Sequence, residues 1–190
     1  MPDDTIYIVS GLPRSGTSML MKMLDAGGIK PLTDNVRKAD VDNPKGYYEF
    51  ERVKRLPEDT GWLDEARGRV VKVLAELVMK LPADHRYRIV YIERNMDEMI
   101  DSQNKMLVRR GEDPDKVSRD ELKGVFSKYT VKLKGWLDSQ PNVKVLYVNY
   151  NEILAEPKKN IGRLYRFFDG KLDRAAMLEA VDKELYRNRA

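Results

Sequence analysis

From Gly11 to Ser18 the chain reads Gly-Leu-Pro-Arg-Ser-Gly-Thr-Ser, which puts two glycines, a guanidinium and three hydroxyls into eight residues. That combination suits an anion. Glycine lets the backbone approach a phosphate closely and accept positive φ. A glycine turn that opens a helix aims several N–H groups, and the positive end of the helix dipole, at one point. The spacing Gly11-x4-Gly16 is that of the nucleoside-triphosphate loop G-x4-G-K-[ST], but Thr17 stands in place of the lysine. That lysine reaches the β- and γ-phosphates, so a triphosphate with Mg²⁺ fits poorly. A nucleotide with a single 5′ anionic group needs less reach, which Arg14 with two hydroxyls can supply.

These residues need a strand and a helix to hold them. Ile6, Tyr7, Ile8 and Val9 form a continuous apolar run, as in a strand buried on both faces. Met19, Leu20, Met23 and Leu24 then recur at helical spacing, and Gly27 and Gly28 end that helix. Further strands are expected at 70–73, 88–93 and 143–149. Helices are expected at 74–81, 95–110, from the Ser118-x-x-Glu121 capping box to about 137, 156–168 and 172–181, with 52–68 helical or mixed. Residues 29–43 read as a loop. It continues through a Pro44 and Gly46 turn into Tyr47, Tyr48, Glu49 and Phe50. Alternating strands and helices imply an α/β fold: three α/β/α layers around a mainly parallel sheet, of the P-loop nucleotide-binding type, with 1–190 as one domain.

Ligands of such sheets bind beyond the carboxyl ends of the strands. That rim carries a second group of residues, Arg94 at a strand end and Ser102 about two helical turns further on. A guanidinium offers a planar fork of donors to a phosphate, and the hydroxyl adds one more. Pro13-Arg-Ser-Gly-Thr-Ser18 resembles the 5′-phosphosulfate loop, P-[KR]-S-G-T-[TS], of sulfotransferases that use PAPS (3′-phosphoadenosine 5′-phosphosulfate). Arg94 and Ser102, eight positions apart, resemble the pair that holds the 3′-phosphate in that family. The segment 149–157, with Pro157 opening a helix, is also similar, and the overall order matches a compact bacterial-type member.

The resemblance implies sulfuryl transfer from PAPS to a hydroxyl or amine, with PAP as product and no metal. Pro13, Arg14, Ser15, Gly16, Thr17 and Ser18 would hold the 5′ end, and Arg94 and Ser102 the 3′ end. Lys72, near a strand end, would serve the bridging oxygen. The family's C-terminal RKGxxGDWK box is absent, and Arg187 and Arg189 are the candidate replacements. The base is expected to be Glu49, with Glu51 second, since packing by Tyr47, Tyr48 and Phe50 suits a glutamate to that work. His85 precedes the 88–93 strand on the opposite rim and is expected at the surface. The acceptor is expected to be a small molecule or glycan, with the aromatic loop stacking on its ring. Two rival readings are a kinase using ATP and Mg²⁺ and a non-catalytic nucleotide-binding module.

Composition narrows the field. The 190 residues contain no cysteine and one histidine, so disulfides, a thiol nucleophile and a multi-histidine metal site are excluded. The net charge is only +4, and no strongly basic tract marks nucleic-acid binding. No apolar run approaches a membrane span, and the polar start Met-Pro-Asp-Asp is no signal peptide. A soluble cytoplasmic protein is the expectation.

Overall fold

Four parallel strands, β1 (Thr5–Ser10), β2 (Val70–Lys72), β3 (Arg86–Glu93) and β4 (Val143–Asn149), form one sheet in the order β2-β1-β3-β4. The architecture comes from a computed structural model that describes residues 4–34, 36 and 46–181. Arg187 and Arg189 lie outside the described residues, as does the part of the loop containing Pro44.

The sheet divides the apolar core into two layers, as strand alternation requires. Ile6, Ile8, Val71, Tyr87, Ile89 and Tyr91 face one side. There α2 (Ala75–Val78), α3 (Met96–Arg109) and α4 (Arg119–Ser139) contribute Ala75, Val78, Met99, Leu133 and Leu137. Tyr7, Val9, Val70, Val90, Ile92 and Val148 face the other side. They are covered by α1 (Thr17–Ala26), α5 (Tyr150–Ala155), α6 (Pro157–Phe167) and α7 (Arg174–Ala180). This is the expected three-layer α/β/α arrangement.

The connections place the site. The helix following β1 packs on one face, and those following β3 pack on the other. The chain therefore parts between β1 and β3, opening a crevice at the carboxyl ends of these adjacent strands. Register brings Ser10 opposite Tyr91, so the Gly11 turn and Arg94 leave the sheet side by side.

Several elements differ from expectation. Between the strand and the helix opened by Pro157 the sequence predicts an acidic turn; residues 150–155 instead form the helix α5, because the Asn149 side chain caps it by accepting from the N–H groups of Asn151 and Glu152. Residues 52–68 yield only two short 3₁₀ helices, Glu51–Arg55 and Asp64–Ala66. Pro57, which cannot donate to a helix, separates them. Strand β3 begins two residues earlier than expected, at Arg86. The apolar spacing of the 95–110 helix predicts Met99, Met106 and Leu107 inward; Met99 and Met106 are buried, whereas Leu107 is only half-buried and Ile100 takes the inward place. Among the described residues, no helix is long and apolar enough to cross a membrane.

Candidate active site

The Gly11–Gly16 turn is shaped by contacts that leave no room for side chains at either glycine. A Cβ on Gly11 would stand 2.6 Å from the Ile92 carbonyl oxygen and 2.4 Å from Ser15 Oγ. Gly16 has φ of 102°, and a Cβ there would lie 2.4 Å from the Tyr150 ring. The turn is closed by the Ser15 N–H donating to Leu12 O at 3.2 Å. Gly16 precedes α1 as a cap without a side chain, and no acidic residue occupies the first turn of that helix. The amino end of α1 thus carries no side-chain cap and no carboxylate, a chemistry that fits an external anion.

Pro13, Arg14, Gly16, Thr17 and Ser18 line an open cleft of about 290 Å³. Arg94, Ser102, Lys72, Glu49 and Tyr47 line the same cleft, so both expected phosphate clusters face one space. Ser15 does not. Its side chain is buried under the turn, pointing toward Gly11, and its hydroxyl has no hydrogen-bond partner among the described residues.

Arg14 adopts positive φ, at 67°, and its Nε donates to Ser102 Oγ at 3.0 Å. Arg94 donates from one terminal nitrogen to the Arg14 carbonyl at 3.2 Å and from Nε to Glu98 at 3.1 Å. Its guanidinium carbon lies 4.5 Å from the centre of the Tyr150 ring. This arginine is no surface residue: its side chain is only 7% exposed, and that of Glu98 only 3%. Burying such charges is tolerable only with full pairing. Asn151 completes it, donating to Glu98 at 2.9 Å while its amide oxygen accepts from the Asn95 N–H at 3.1 Å. The carboxyl ends of β3 and β4 are thereby tied together beneath the cleft.

The opposite wall comes from β2 and the aromatic loop. The Lys72 side chain is buried, its ammonium donating to the Tyr47 carbonyl and standing 3.6 Å from Glu49. Lys54 approaches the same carboxylate at 3.8 Å. The loop is fastened from behind, with Thr33 donating to Glu49 O at 2.8 Å and the Glu51 N–H donating to Asp34 at 2.7 Å. The expected aromatic surround of Glu49 is not formed. Only Tyr47 reaches the cleft; Tyr48 turns away to donate to Asp25 at 3.2 Å, and Phe50 packs edge-on against Trp62. Tyr47 and Glu49 turn toward the cleft, whereas Tyr48, with φ of 52°, and Phe50 pack against the two different core layers. Glu51 points outward to Lys54 at 2.6 Å. His85 stands just before β3, away from the cleft, beside Asp84 at 2.8 Å; its side chain is 15% exposed, more covered than the surface position expected.

Six of the described cleft residues escaped the sequence reading: Met19, Leu74, Gln103, Met106, Arg110 and Tyr150. Met106 and Arg110 follow Ser102 at i+4 and i+8, one helix face, and that periodicity was the available signal. Tyr150 carries no such sign, because its role follows from how β4 lies beside β3.

The fold and cleft define a P-loop-type α/β protein with two cation clusters on one rim. The sequence profile of the sulfotransferase domain family matches residues 3–188. The chain belongs to the sulfotransferase family. Its fold is similar to that of mouse sulfotransferase SULT7A1 complexed with PAP, with TM-score 0.58 and 20% identity over 95% of this chain and 63% of that one. It is also similar to the sulfotransferase domain of the curacin biosynthetic pathway (TM-score 0.53, 17% identity, 97% and 80% covered). A sulfotransferase from Alicyclobacillus acidocaldarius is alike too (TM-score 0.52, 17% identity, 97% and 88% covered). The chain spans 63% of the mouse protein and 64% of a retinol dehydratase solved with androsterone and PAP. No curated protein sequence matches it.

Proposed function

We propose that the protein moves a sulfuryl group from PAPS to a hydroxyl or amine of a small-molecule or glycan acceptor, releasing PAP. The observation that carries this reading is the single hydrogen bond from Arg14 to Ser102. The two clusters are separated by the reach of one arginine side chain, a span suited to a ribose with phosphates at its 3′ and 5′ positions. Structural relatives solved with PAP, and retinol dehydratase solved with retinol and PAP, support the same assignment.

In this reading the α1 amides, Arg14, Thr17 and Ser18 hold the 5′ group, while Arg94 and Ser102 hold the 3′-phosphate. PAPS supplies an activated sulfuryl group whose departure leaves charge on a phosphate. Arg14 and Lys72 stand where cations can stabilise such charge. Glu49, on the cleft wall beside Lys72, accepts the acceptor's proton. The donors present in the cleft are amides, hydroxyls, guanidiniums and one ammonium. Thr17 in the lysine position leaves no reach to a γ-phosphate, and this sets the kinase reading aside.

Transfer of labelled sulfate from PAPS to a panel of alcohols, phenols, amines and glycans tests the proposal. Transfer to at least one acceptor, abolished by Lys72→Ala, is the expected result. PAP binding with no transfer to any acceptor would leave a nucleotide-binding module instead.

A further inference from the structure

Among the described residues, four cations line the cleft: Arg14, Lys72, Arg94 and Arg110. Three are engaged, Arg14 by Ser102, Lys72 by Glu49 and Tyr47, and Arg94 by Glu98. Arg110 differs. Its backbone N–H closes the end of α3, donating to Met106 O and Leu107 O, while its guanidinium has no hydrogen-bond or ion-pair partner among the described residues. Glu112 and Asp113 lie two and three residues further on, yet neither pairs with it.

Its position along the helix separates it from the nucleotide end. Eight residues of α-helix advance about 12 Å, so Arg110 stands well beyond Ser102 on the same face. Between them lie Gln103 and the buried Met106, and Leu74 and Tyr47 also line the cleft. The cleft therefore runs from a polar, cation-lined end, past Gln103 and a mainly apolar stretch, to the guanidinium of Arg110, unpaired among the described residues.

We propose that Arg110 selects the acceptor: the substrate is a small hydroxyl or amine compound with an apolar body and a carboxylate at the end remote from its nucleophile. The inference rests on the sulfotransferase reading, because it assigns the apolar stretch to the acceptor. A guanidinium matches a carboxylate through two parallel hydrogen bonds. With Arg14, Arg94 and Lys72 committed to the nucleotide, Arg110 is, among the described cleft residues, the cation left to the second substrate. Its exposure makes the preference sensitive to salt.

The test uses PAP-loaded protein and a matched pair, 4-hydroxyphenylacetate and 4-hydroxyphenylacetamide, titrated calorimetrically. Expected is a preference for the acid of about tenfold in the wild type, declining as salt rises. Arg110→Ala should bring the ratio near unity, and Arg110→Glu should favour tyramine over the acid, with PAP affinity unchanged in both. Equal affinity for acid and amide in the wild type overturns the proposal, as does failure of the acid to bind. Weakened PAP binding in Arg110→Ala also overturns it, by assigning Arg110 to the nucleotide. A wild type that fails to bind PAP refutes the parent reading instead, and the same pair titrated without nucleotide still decides the role of Arg110.

Discussion

Arg14 and Ser102 are 88 positions apart in the chain and 3.0 Å apart in space, with Nε donating to Oγ. One comes from the turn after β1 and the other from the helix after β3, so the bond closes over the crevice between those strands. Ser102→Ala removes both a hydroxyl donor and the partner that orients Arg14. PAP affinity should fall about tenfold, as for loss of a hydrogen bond to a charged group, with thermal stability close to wild type. Calorimetric titration beside a melting curve checks both, and unchanged affinity would remove Ser102 from the nucleotide site.

Glu49 is the proposed proton acceptor. Glu49→Gln keeps the shape and the bond between Thr33 and the Glu49 carbonyl, since that bond uses the backbone. Turnover should drop by about 10²–10⁴, the usual contribution of a general base, while PAP binds nearly as before. Full activity in a sulfate-transfer assay would move the base elsewhere.

The turn depends on Gly16. Gly16→Ala forces a side chain into φ of 102° and against the Tyr150 ring. A destabilisation of about 1–3 kcal/mol is expected from the backbone strain, accompanied by lost PAP binding as the turn shifts. Chemical denaturation with and without PAP measures both; a variant as stable and as PAP-responsive as wild type would contradict the description of the loop.

The loop, the sheet and the two cation clusters were legible in the sequence for a physical reason. Glycine spacing, apolar runs and strand-end residues are local signals, and the strand-end rule converts them into one shared rim. Glu98 and Asn151 were beyond that reach. They complete the burial of Arg94 by meeting across 53 positions, from helices on two adjacent strands. The orientation of the aromatic loop was hidden likewise. Tyr48 and Phe50 are drawn into packing on either side, by Asp25 and Trp62, and nothing local to the loop announces those partners. Ser15 reads as a ligand by motif, but the turn's own closure sends its side chain inward.

Alkaline pH should weaken the fold. Burial pushes the Tyr91 phenol up from its ordinary value of 10.0 to about 12, and burial also raises Tyr87 and Tyr147. A raised folded value means the neutral phenol is favoured in the native state. That stability is complete below about pH 10 and is lost progressively as pH rises toward 12. Tyr91 alone accounts for a loss on the order of 2 kcal/mol. Among the described residues its hydroxyl meets only the Thr130 hydroxyl, in a contact too poor to count as a hydrogen bond of ordinary geometry, so Tyr91→Phe should be nearly neutral at pH 7 and flatten the decline above pH 10. Denaturant melts at both pH values check this; an equally steep alkaline decline in the variant would show that Tyr91 is not responsible.

The most direct measurement of the two-ended nucleotide grip compares PAP, adenosine 5′-monophosphate and ATP–Mg²⁺ by calorimetry on wild type and Arg94→Ala. PAP should bind wild type at least about tenfold more tightly than the monophosphate, and ATP–Mg²⁺ should bind worst. Arg94→Ala should erase the advantage of the 3′-phosphate. Equal binding of PAP and the monophosphate by wild type, or tighter binding of ATP–Mg²⁺, would contradict it.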